Sequence, residues 1–184
     1  MKAQTWFPVL DILASGRLMS GAVIGDALGL TRAAIWQRVV YLRDLGVPIV
    51  SSEVGYQLQG GAYLPAAPSV EALVSLPVSC VTEIDSTNTQ VMANRPHEQC
   101  LIAIYQHAGQ GRRGRSWIGV PGRTLMLSVG VSLRLPVARL AGLSIAIGVA
   151  LCELLRAEGA PVELKWPNDL WVGGRKLAGF LMEV

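Results

Sequence analysis

Cysteine and histidine are scarce in this chain of 184 residues, which contains three cysteines and two histidines. The cysteines, Cys80, Cys100 and Cys152, are odd in number, widely spaced and without a C-x-x-C pair. This pattern argues against both a disulfide framework and a zinc site. With only His97 and His107 to add, the sequence predicts no metal cluster held by protein side chains.

The chain also lacks an apolar run long enough to cross a membrane. Its longest run, Leu140–Cys152, is interrupted by Gly142, Ser144 and Gly148 and is shorter than the roughly 20 residues of a spanning helix. The N-terminus has no basic segment followed by an apolar one, as a secretory signal would. We therefore predict a soluble cytoplasmic protein with no membrane partner.

Charge of either sign is sparse, with a net charge of +3 and 16% charged residues. A site for nucleic acid or phosphate must therefore be a local basic patch. Hydrophobic residues make up 51% of the chain, which is enough to bury a core over one or two domains.

Residues 1–62 have the pattern of a winged helix-turn-helix domain. Apolar residues recur at helical spacing in three blocks: 7–14, 21–28 and 31–45. Ser20 and Thr31 can cap the second and third helices. Two short strands, 49–51 and 56–58, follow and form a predicted wing.

The third helix is the predicted DNA-reading helix, because a tight turn at Gly29, with Ala27 and Ile35 packing across it, precedes it. The side chains expected to face the bases are Thr31, Arg32, Ala33, Trp36 and Gln37. The arginines better placed for phosphates are Arg17, Arg38 and Arg43. The alternative is a small helical protein-interaction domain with ordinary solvated arginines.

A linker rich in Gly, Pro and Ala, residues 63–77 with a short helix over 69–76, leads into a second domain, residues 78–184. There strands and helices alternate. Strands are predicted over 78–83, 100–105, 124–135, 162–166, 170–172 and 176–183, and helices over 86–94 and, long and buried, 137–157. The predicted fold class is α+β, with a winged helix before a mixed α/β domain.

The segment Gln106–Trp117, called here the glycine-arginine loop, is the most informative in the chain. Its glycines let backbone approach a ligand closely, and Arg112, Arg113 and Arg115 supply fixed positive charge for carboxylate or phosphate. No Asp or Glu occurs between Glu98 and Glu153, whereas six arginines do. These are Arg112, Arg113, Arg115, Arg123, Arg134 and Arg139. The loop therefore predicts a polyanion site such as a nucleotide triphosphate.

Two familiar phosphate motifs do not fit this loop. Its glycines satisfy G-x-G-x-x-G, but Gly119, Pro121 and Gly122 prevent the helix that a dinucleotide fingerprint opens, and the ribose-binding acid is lacking. A Walker loop would need G-K-[ST], which is not there. A solvated basic loop that binds nucleic acid stays open as the alternative.

A second basic segment runs through Lys165–Asp169, which ends a strand in a turn, and Arg175–Gly179, on the returning strand. A Lys on a buried strand is costly unless it meets an anion, so Lys165 and Lys176 predict a ligand phosphate or carboxylate. Asp169 could pair with a lysine, hold magnesium or merely cap the turn.

Together these segments resemble one family. Asp85-Ser86-Thr87-Asn88, the glycine-arginine loop, Lys165–Asp169 and Arg175–Gly179 stand in the order found in biotin protein ligases, and the winged helix resembles that of the bifunctional biotin operon repressors. Lipoate ligases share the catalytic fold and are the nearest competing enzymes. The resemblance implies a biotin/lipoate ligase catalytic domain similar to class II aminoacyl-tRNA synthetases.

The resemblance also implies roles for single residues. The residues implied to bind biotin are Ser86, Thr87, Asn88, Gln106, Gly109, Gln110, Arg112, Lys176 and Gly179. Those implied for the nucleotide are Arg115, Trp117, Lys165, Asn168 and Asp169, although Trp117 could instead be plain core. Lys176 and Arg112 would be catalytic. The family's loop often has Arg where this chain has Gln110, which leaves a backbone contact there but puts a side-chain contact in doubt.

The implied activity is that of a biotin:[acetyl-CoA-carboxylase] ligase, which uses ATP with Mg²⁺ to form biotinyl-5′-AMP and passes biotin to a lysine of a carboxyl carrier domain. The adenylate would also be the corepressor, favouring homodimers on operator DNA of biotin synthesis genes. The family continues beyond the point matching Val184, so we expect this chain to be an incomplete, poor or inactive ligase. A DNA-binding sensor of biotin or its adenylate and a lipoate-type ligase remain as alternatives.

Overall fold

The computed structural model describes residues 6–94, 98–134, 136, 140 and 142–183. His97, Arg139, the predicted strand end at Leu135, the predicted helix start at Val137 and the chain end at Val184 lie outside them. The chain divides into two compact units. The first comprises Met1–Gly109 and Trp117–Ser132, and the second comprises Gln110–Ser116 and Leu133–Val184.

The first unit begins with three helices, as predicted. They are α1 Phe7–Leu13, α2 Gly21–Leu28 and α3 Arg32–Asp44. The Ser20 hydroxyl accepts a hydrogen bond from the Val23 amide and the Thr31 hydroxyl accepts one from Ala34, both at 3.2 Å. Gly29 ends α2 in the left-handed conformation, with φ 64°. The two caps thus fix where α2 and α3 begin.

The turn between α2 and α3 packs differently from the prediction. Ile35 is fully buried as expected, but Ala27 is exposed. The buried residues of α2 are instead Ile24 and Gly25. A Cβ on Gly25 would lie 2.6 Å from the Leu30 carbonyl oxygen, so the close turn requires glycine there.

The wing follows as two antiparallel strands, β1 Ile49–Ser52 and β2 Gly55–Leu58. Met19 pairs with Tyr56 through two backbone hydrogen bonds of 2.9 and 2.8 Å, which ties the wing to the segment before α2. The core of α1 to α3 also includes Ile49 and Leu58 from the wing. The predicted winged helix-turn-helix is therefore confirmed.

The rest of the first unit is a three-stranded sheet with two short helices. The elements are α4 Ala67–Glu71, β3 Val78–Ile84, α5 Thr87–Ala93, β4 Gln99–Gln106 and β5 Met126–Gly130. Strand β4 lies in the middle, parallel to β3 and antiparallel to β5. Helix α4 is shorter and earlier than predicted, and β5 covers only part of the predicted 124–135. Ile104 of β4 belongs to the same buried core as the winged helix.

The second unit contains α6 Leu143–Ala157 and three antiparallel strands, β6 Glu163–Lys165, β7 Asp169–Val172 and β8 Arg175–Gly179. Its core is built on Cys152, Val162 and Leu170. A long helix is present as predicted, but the prediction that it is buried is wrong, because only Gly148 and Cys152 of α6 are buried. Strand β8 is also shorter than the predicted 176–183. The predicted domain boundaries after Ala62 and before Val78 stay a prediction.

Among the described residues, no helix is both long and apolar enough to span a membrane.

Candidate functional site

The side chains predicted to face DNA lie at the N-cap and on the exposed face of α3. All five are exposed, whereas Ile35 and Val39 on the same helix are fully buried. They are Thr31, Arg32, Ala33, Trp36 and Gln37. Trp36 is 57% exposed. The structure brings these residues together, and their contacts with bases stay a prediction.

The arginines predicted to contact phosphates differ in their surroundings. Arg17 is exposed. Arg38 donates a 2.9 Å hydrogen bond to the Ala34 carbonyl oxygen within α3. Arg43 donates to the Ile49 carbonyl oxygen at 2.8 Å and to the Ser51 hydroxyl at 2.7 Å. The Arg43 guanidinium therefore braces the wing against the end of α3.

A polar cluster lies within the first unit where α5 begins beside β4 and β5. The Thr87 amide and hydroxyl both donate to Oε1 of the Gln106 side chain, at 2.7 and 3.0 Å. The Thr87 hydroxyl also lies 2.8 Å from the Ser128 hydroxyl, and Ser86 caps α5 by accepting from the Thr89 amide at 3.3 Å. Ser86 and Thr87 are buried. This group is called here the threonine cluster.

Gly109 lies next to this cluster and leaves no room for a side chain. A Cβ there would lie 2.7 Å from the Trp117 carbonyl oxygen and 3.0 Å from Gln106 Nε2. The Trp117 amide donates to the Gly109 carbonyl oxygen at 2.7 Å, which closes the glycine-arginine loop at its base. Trp117 is half-buried, and Asn88 at the start of α5 is half-buried too. Glycine is thus needed at Gly109 for close backbone approach.

Ser128 was missed by the sequence reasoning. It lies on β5 on the inward side, with Met126, and pairs with Leu101 of β4. The alternation of β5 gives the only sequence signal, since a single Ser there interrupts an otherwise apolar strand. Such a residue is as typical of ordinary strand packing as of a site.

In the second unit, Lys176 and Asp169 form an ion pair, with Nζ 2.8 Å from Oδ1. Of the alternatives left open for Asp169, the structure shows the pairing with a lysine. A Cβ on Gly179 would lie 2.9 Å from Lys176 Nζ and 3.1 Å from Asp169 Oδ1. Gly179 therefore leaves the space in which this pair forms.

Arg112 and Asn168 connect the tip of the glycine-arginine loop to the sheet of the second unit. Arg112 Nη1 donates to Asn168 Oδ1 at 3.1 Å, and Asn168 Nδ2 donates to the Phe180 carbonyl oxygen at 2.7 Å. The Phe180 amide returns a 2.9 Å bond to the Asn168 carbonyl oxygen. This chain of bonds fixes both side chains at the end of the turn that leads into β7.

The basic side chains of Lys165, Lys176 and Arg115 are open to solvent. Lys165 and Lys176 lie on strands as predicted but are exposed, so the premise that they lie on a buried strand is wrong. Lys165 Nζ lies 3.7 Å from the ring centroid of Trp171, a cation–π contact that explains its place without an anion. Gln110 and Arg115 are exposed as well. Arg115 accepts a 2.7 Å bond from Gly111 through its backbone only.

Within the described residues, no group of three or more His, Cys, Asp or Glu side chains could hold a metal ion. The three cysteines are free. Burial raises the pKa of the Cys80 and Cys100 thiols above their ordinary value, which makes both poor nucleophiles. The chemistry of the site therefore falls to fixed cations and polar side chains.

Comparison with known proteins matches both parts of the chain. Residues 79–184 match the model of the Biotin/lipoate A/B protein ligase family, and residues 7–57 match an HTH domain. The bifunctional ligase/repressor BirA of Salmonella typhimurium and that of Escherichia coli are each 40% identical over 183 residues. These matches cover 96% of this chain and 57% of each relative.

A solved structure is also similar. It is the biotin acetyl coenzyme A carboxylase synthetase of Helicobacter pylori with bound biotinylated ATP, 26% identical with a TM-score of 0.50. The match covers 58% of this chain and 54% of that one. Both kinds of comparison thus cover little more than half of the similar protein, and the chain spans 57% of the length of the curated relatives.

Proposed function

The chain belongs to the Biotin/lipoate A/B protein ligase family, and from this membership we propose that it activates biotin with ATP and also binds DNA. The observation that carries the proposal is the pairing of an exposed helix-turn-helix face with the Lys176–Asp169 and Arg112–Asn168 contacts in one chain. The two relatives that match 96% of this chain are named bifunctional ligase/repressors. The product would be biotinyl-5′-AMP, with biotin then passed to a lysine of a carboxyl carrier domain.

The first step needs no protein nucleophile. A biotin carboxylate oxygen attacks the α-phosphorus of ATP, the bond to the bridging oxygen breaks, and pyrophosphate leaves. The neutral amine of the acceptor lysine then attacks the acyl carbon of the adenylate and forms the amide bond. The bond from that carbon to the phosphate oxygen breaks, AMP leaves with the electron pair, and the amine proton goes to solvent. Because charge builds on phosphate and carboxylate oxygens, positioned cations carry the catalysis.

We assign the stabilisation of that negative charge to Lys176 and Arg112. Lys176 has its ammonium group held by Asp169 in the space beside Gly179, so it is positioned before an anion arrives. Arg112 is held by Asn168 in the same way. Arg115 and Lys165 are exposed cations suited to the nucleotide phosphates, and Asn168 and Asp169 act through the groups that they hold.

The threonine cluster is assigned to the neutral end of biotin. Its hydroxyl and amide groups, from Ser86, Thr87 and Gln106, can donate to and accept from the ureido ring. Asn88, Gly109 and Gln110 are assigned to the same part of the ligand. Trp117, half-buried at the base of the loop, is assigned a covering role on the nucleotide side.

Magnesium fits this site only as a companion of ATP. The described residues provide no cluster of ligands for it, and Asp169 already holds Lys176. Mg²⁺ characteristically binds through substrate phosphates and one or two carboxylates. It would supply charge neutralisation at the phosphates, beside the Arg and Lys side chains named above.

We further propose that the adenylate acts as corepressor, so that the chain bearing it forms homodimers on operator DNA. A ligand that binds one state of a protein better than another shifts the equilibrium toward that state.

The test of the enzymatic proposal is exchange of labelled pyrophosphate into ATP by this chain, with biotin or lipoate as the carboxylate. Exchange that depends on biotin supports the proposal. Exchange with lipoate instead points to a lipoate-type ligase. Binding of biotin without any exchange would show a sensor and not a ligase.

A further inference from the structure

A buried carboxylate in the first unit has partners in both the winged helix and the glycine-arginine loop. Glu83 on β3 has a side chain only 6% exposed. One of its oxygens accepts from the indole nitrogen of Trp6, and the other lies 2.7 Å from His107 Nε2, which donates to it. Removing a carboxylate from water is costly unless its oxygens are bonded, so both contacts matter for holding it there.

The two donors stand at functionally different places. Trp6 precedes α1 and is 1% exposed in the core of the winged helix. His107 directly follows Gln106 of the threonine cluster and begins the first stem of the glycine-arginine loop. The His107 and Ala108 amides donate to the Ile84 and Asp85 carbonyl oxygens at 2.9 and 2.8 Å. One carboxylate thus joins the winged helix to the first stem.

The segment 120–123, which follows the glycine-arginine loop, is joined to the winged helix as well. Gly122 accepts a 3.0 Å bond from the Tyr63 amide, and the Arg123 guanidinium donates to the Gln59 carbonyl oxygen just after the wing. Val120 packs against the winged-helix core. Contacts with the winged helix therefore bracket the loop on both sides, at His107 and at 120–123.

We propose that Glu83 is a positioning residue through which the winged helix fixes the first stem of the glycine-arginine loop, and with it Gln106 and Gly109. The carboxylate acts on the ligand only through these residues. For its effect on ligand the inference rests on the proposed function; for its effect on the stem it does not.

The test compares Glu83→Gln and Trp6→Phe with two controls. Glu83→Gln keeps the shape of the side chain but leaves one acceptor oxygen for the two donors, Trp6 and His107. Trp6→Phe removes only the indole donor of the winged helix. Glu98→Gln controls for loss of one carboxylate at an exposed position. Val9→Ala weakens the same winged-helix core, where Val9 is fully buried, and removes neither of the two bonds to Glu83.

The first readout is amide hydrogen exchange at His107 and Ala108 in the protein without ligand. Loss of a bond to a charged group should speed exchange at these amides about tenfold in Glu83→Gln and in Trp6→Phe. The double variant should add little to either change, because both act on one carboxylate. Equal acceleration in Val9→Ala, or none in the two test variants, would overturn the inference. Should Glu83→Gln fail to fold, Trp6→Phe against Val9→Ala still decides.

The second readout is the dissociation rate of added biotinyl-5′-AMP, which should rise severalfold in the test variants and stay unchanged in Glu98→Gln. A merely structural role would make this rate follow the free energy of unfolding, so that Val9→Ala would raise it equally. If the unaltered protein does not bind the adenylate, the proposed function fails, and the exchange readout alone decides the role of Glu83.

Discussion

Lys176 has a side chain whose position is set by contacts with two other residues of the second unit. Its ammonium group is positioned by Asp169, and Gly179 keeps the space beside it open. A pair exposed to solvent contributes little to stability. Contact between the Lys176 ammonium group and an anion stays a prediction.

Lys176→Ala should abolish biotin-dependent pyrophosphate exchange, because the cation that neutralises the transition state is lost. Arg175→Ala, which removes a neighbouring exposed charge on the same strand, is the matched control and should retain most activity. Equal loss in both variants would reduce the role of Lys176 to general positive charge.

Arg112→Gly should release biotinyl-5′-AMP faster, by about tenfold or more for loss of a charged hydrogen bond, because the bond to Asn168 disappears. Arg113→Gly is the comparison. Arg113 has a φ of 60°, which suits glycine, and its replacement relieves strain in the same loop. Stopped-flow dissociation measures both. A loop that merely became too flexible would give equal rates in the two variants.

At the scale of elements, the recognition helix and the wing carry separate predictions. Arg32→Ala should weaken binding to a selected DNA sequence by about 1 to 3 kcal/mol more than binding to random DNA, as loss of a base contact does. Fluorescence anisotropy with both duplexes measures this. Equal weakening on both would make Arg32 a phosphate contact.

Substitution of Arg43 tests whether the position of the wing matters for DNA binding. To hold β1, Arg43 needs the planar guanidinium that reaches Ile49 and Ser51. Arg43→Lys should therefore weaken DNA binding nearly as much as Arg43→Ala. The salt dependence of binding should stay unchanged in both. A phosphate contact would instead tolerate lysine and lose about one unit of salt slope with alanine.

Elements with strong local signals could be predicted from the sequence. Caps at Ser20 and Thr31 and the Gly29 stop fixed α2 and α3 to within a residue, because these signals lie in the backbone itself. Burial was harder. Helix α6 is apolar along its length yet half-exposed, and the lysines of β6 and β8 are exposed, since burial depends on neighbours far away in the chain.

The sequence was enough to identify the glycines and cations of the candidate site. It was not enough to predict which side chains form hydrogen bonds with each other there. Gly109 and Gly179 were singled out, and both prove to be close approaches. Ser128 was missed because its partner Thr87 lies 41 residues away. Glu83 was missed because its partners Trp6 and His107 lie 77 and 24 residues away. No local pattern in the sequence marks such pairs. Roles in binding, as opposed to positions, stay predictions.

At the scale of the whole molecule, the helix-turn-helix and the residues that match the ligase family belong to one chain, and Ile104 of β4 shares the core of the winged helix. A continuous buried core resists independent movement of its parts. Binding of a ligand by residues next to β4 can therefore change the energy of the winged helix, and the reverse effect must be equal.

Coupling between ligand and DNA is measured as the affinity of this chain for a duplex selected from a random pool, with and without added biotinyl-5′-AMP. We expect tighter DNA binding with the adenylate, and an equal gain in adenylate affinity on adding that duplex. Coupling of this kind typically changes affinity by about 5- to 150-fold. The same DNA affinity with and without a bound adenylate would contradict it.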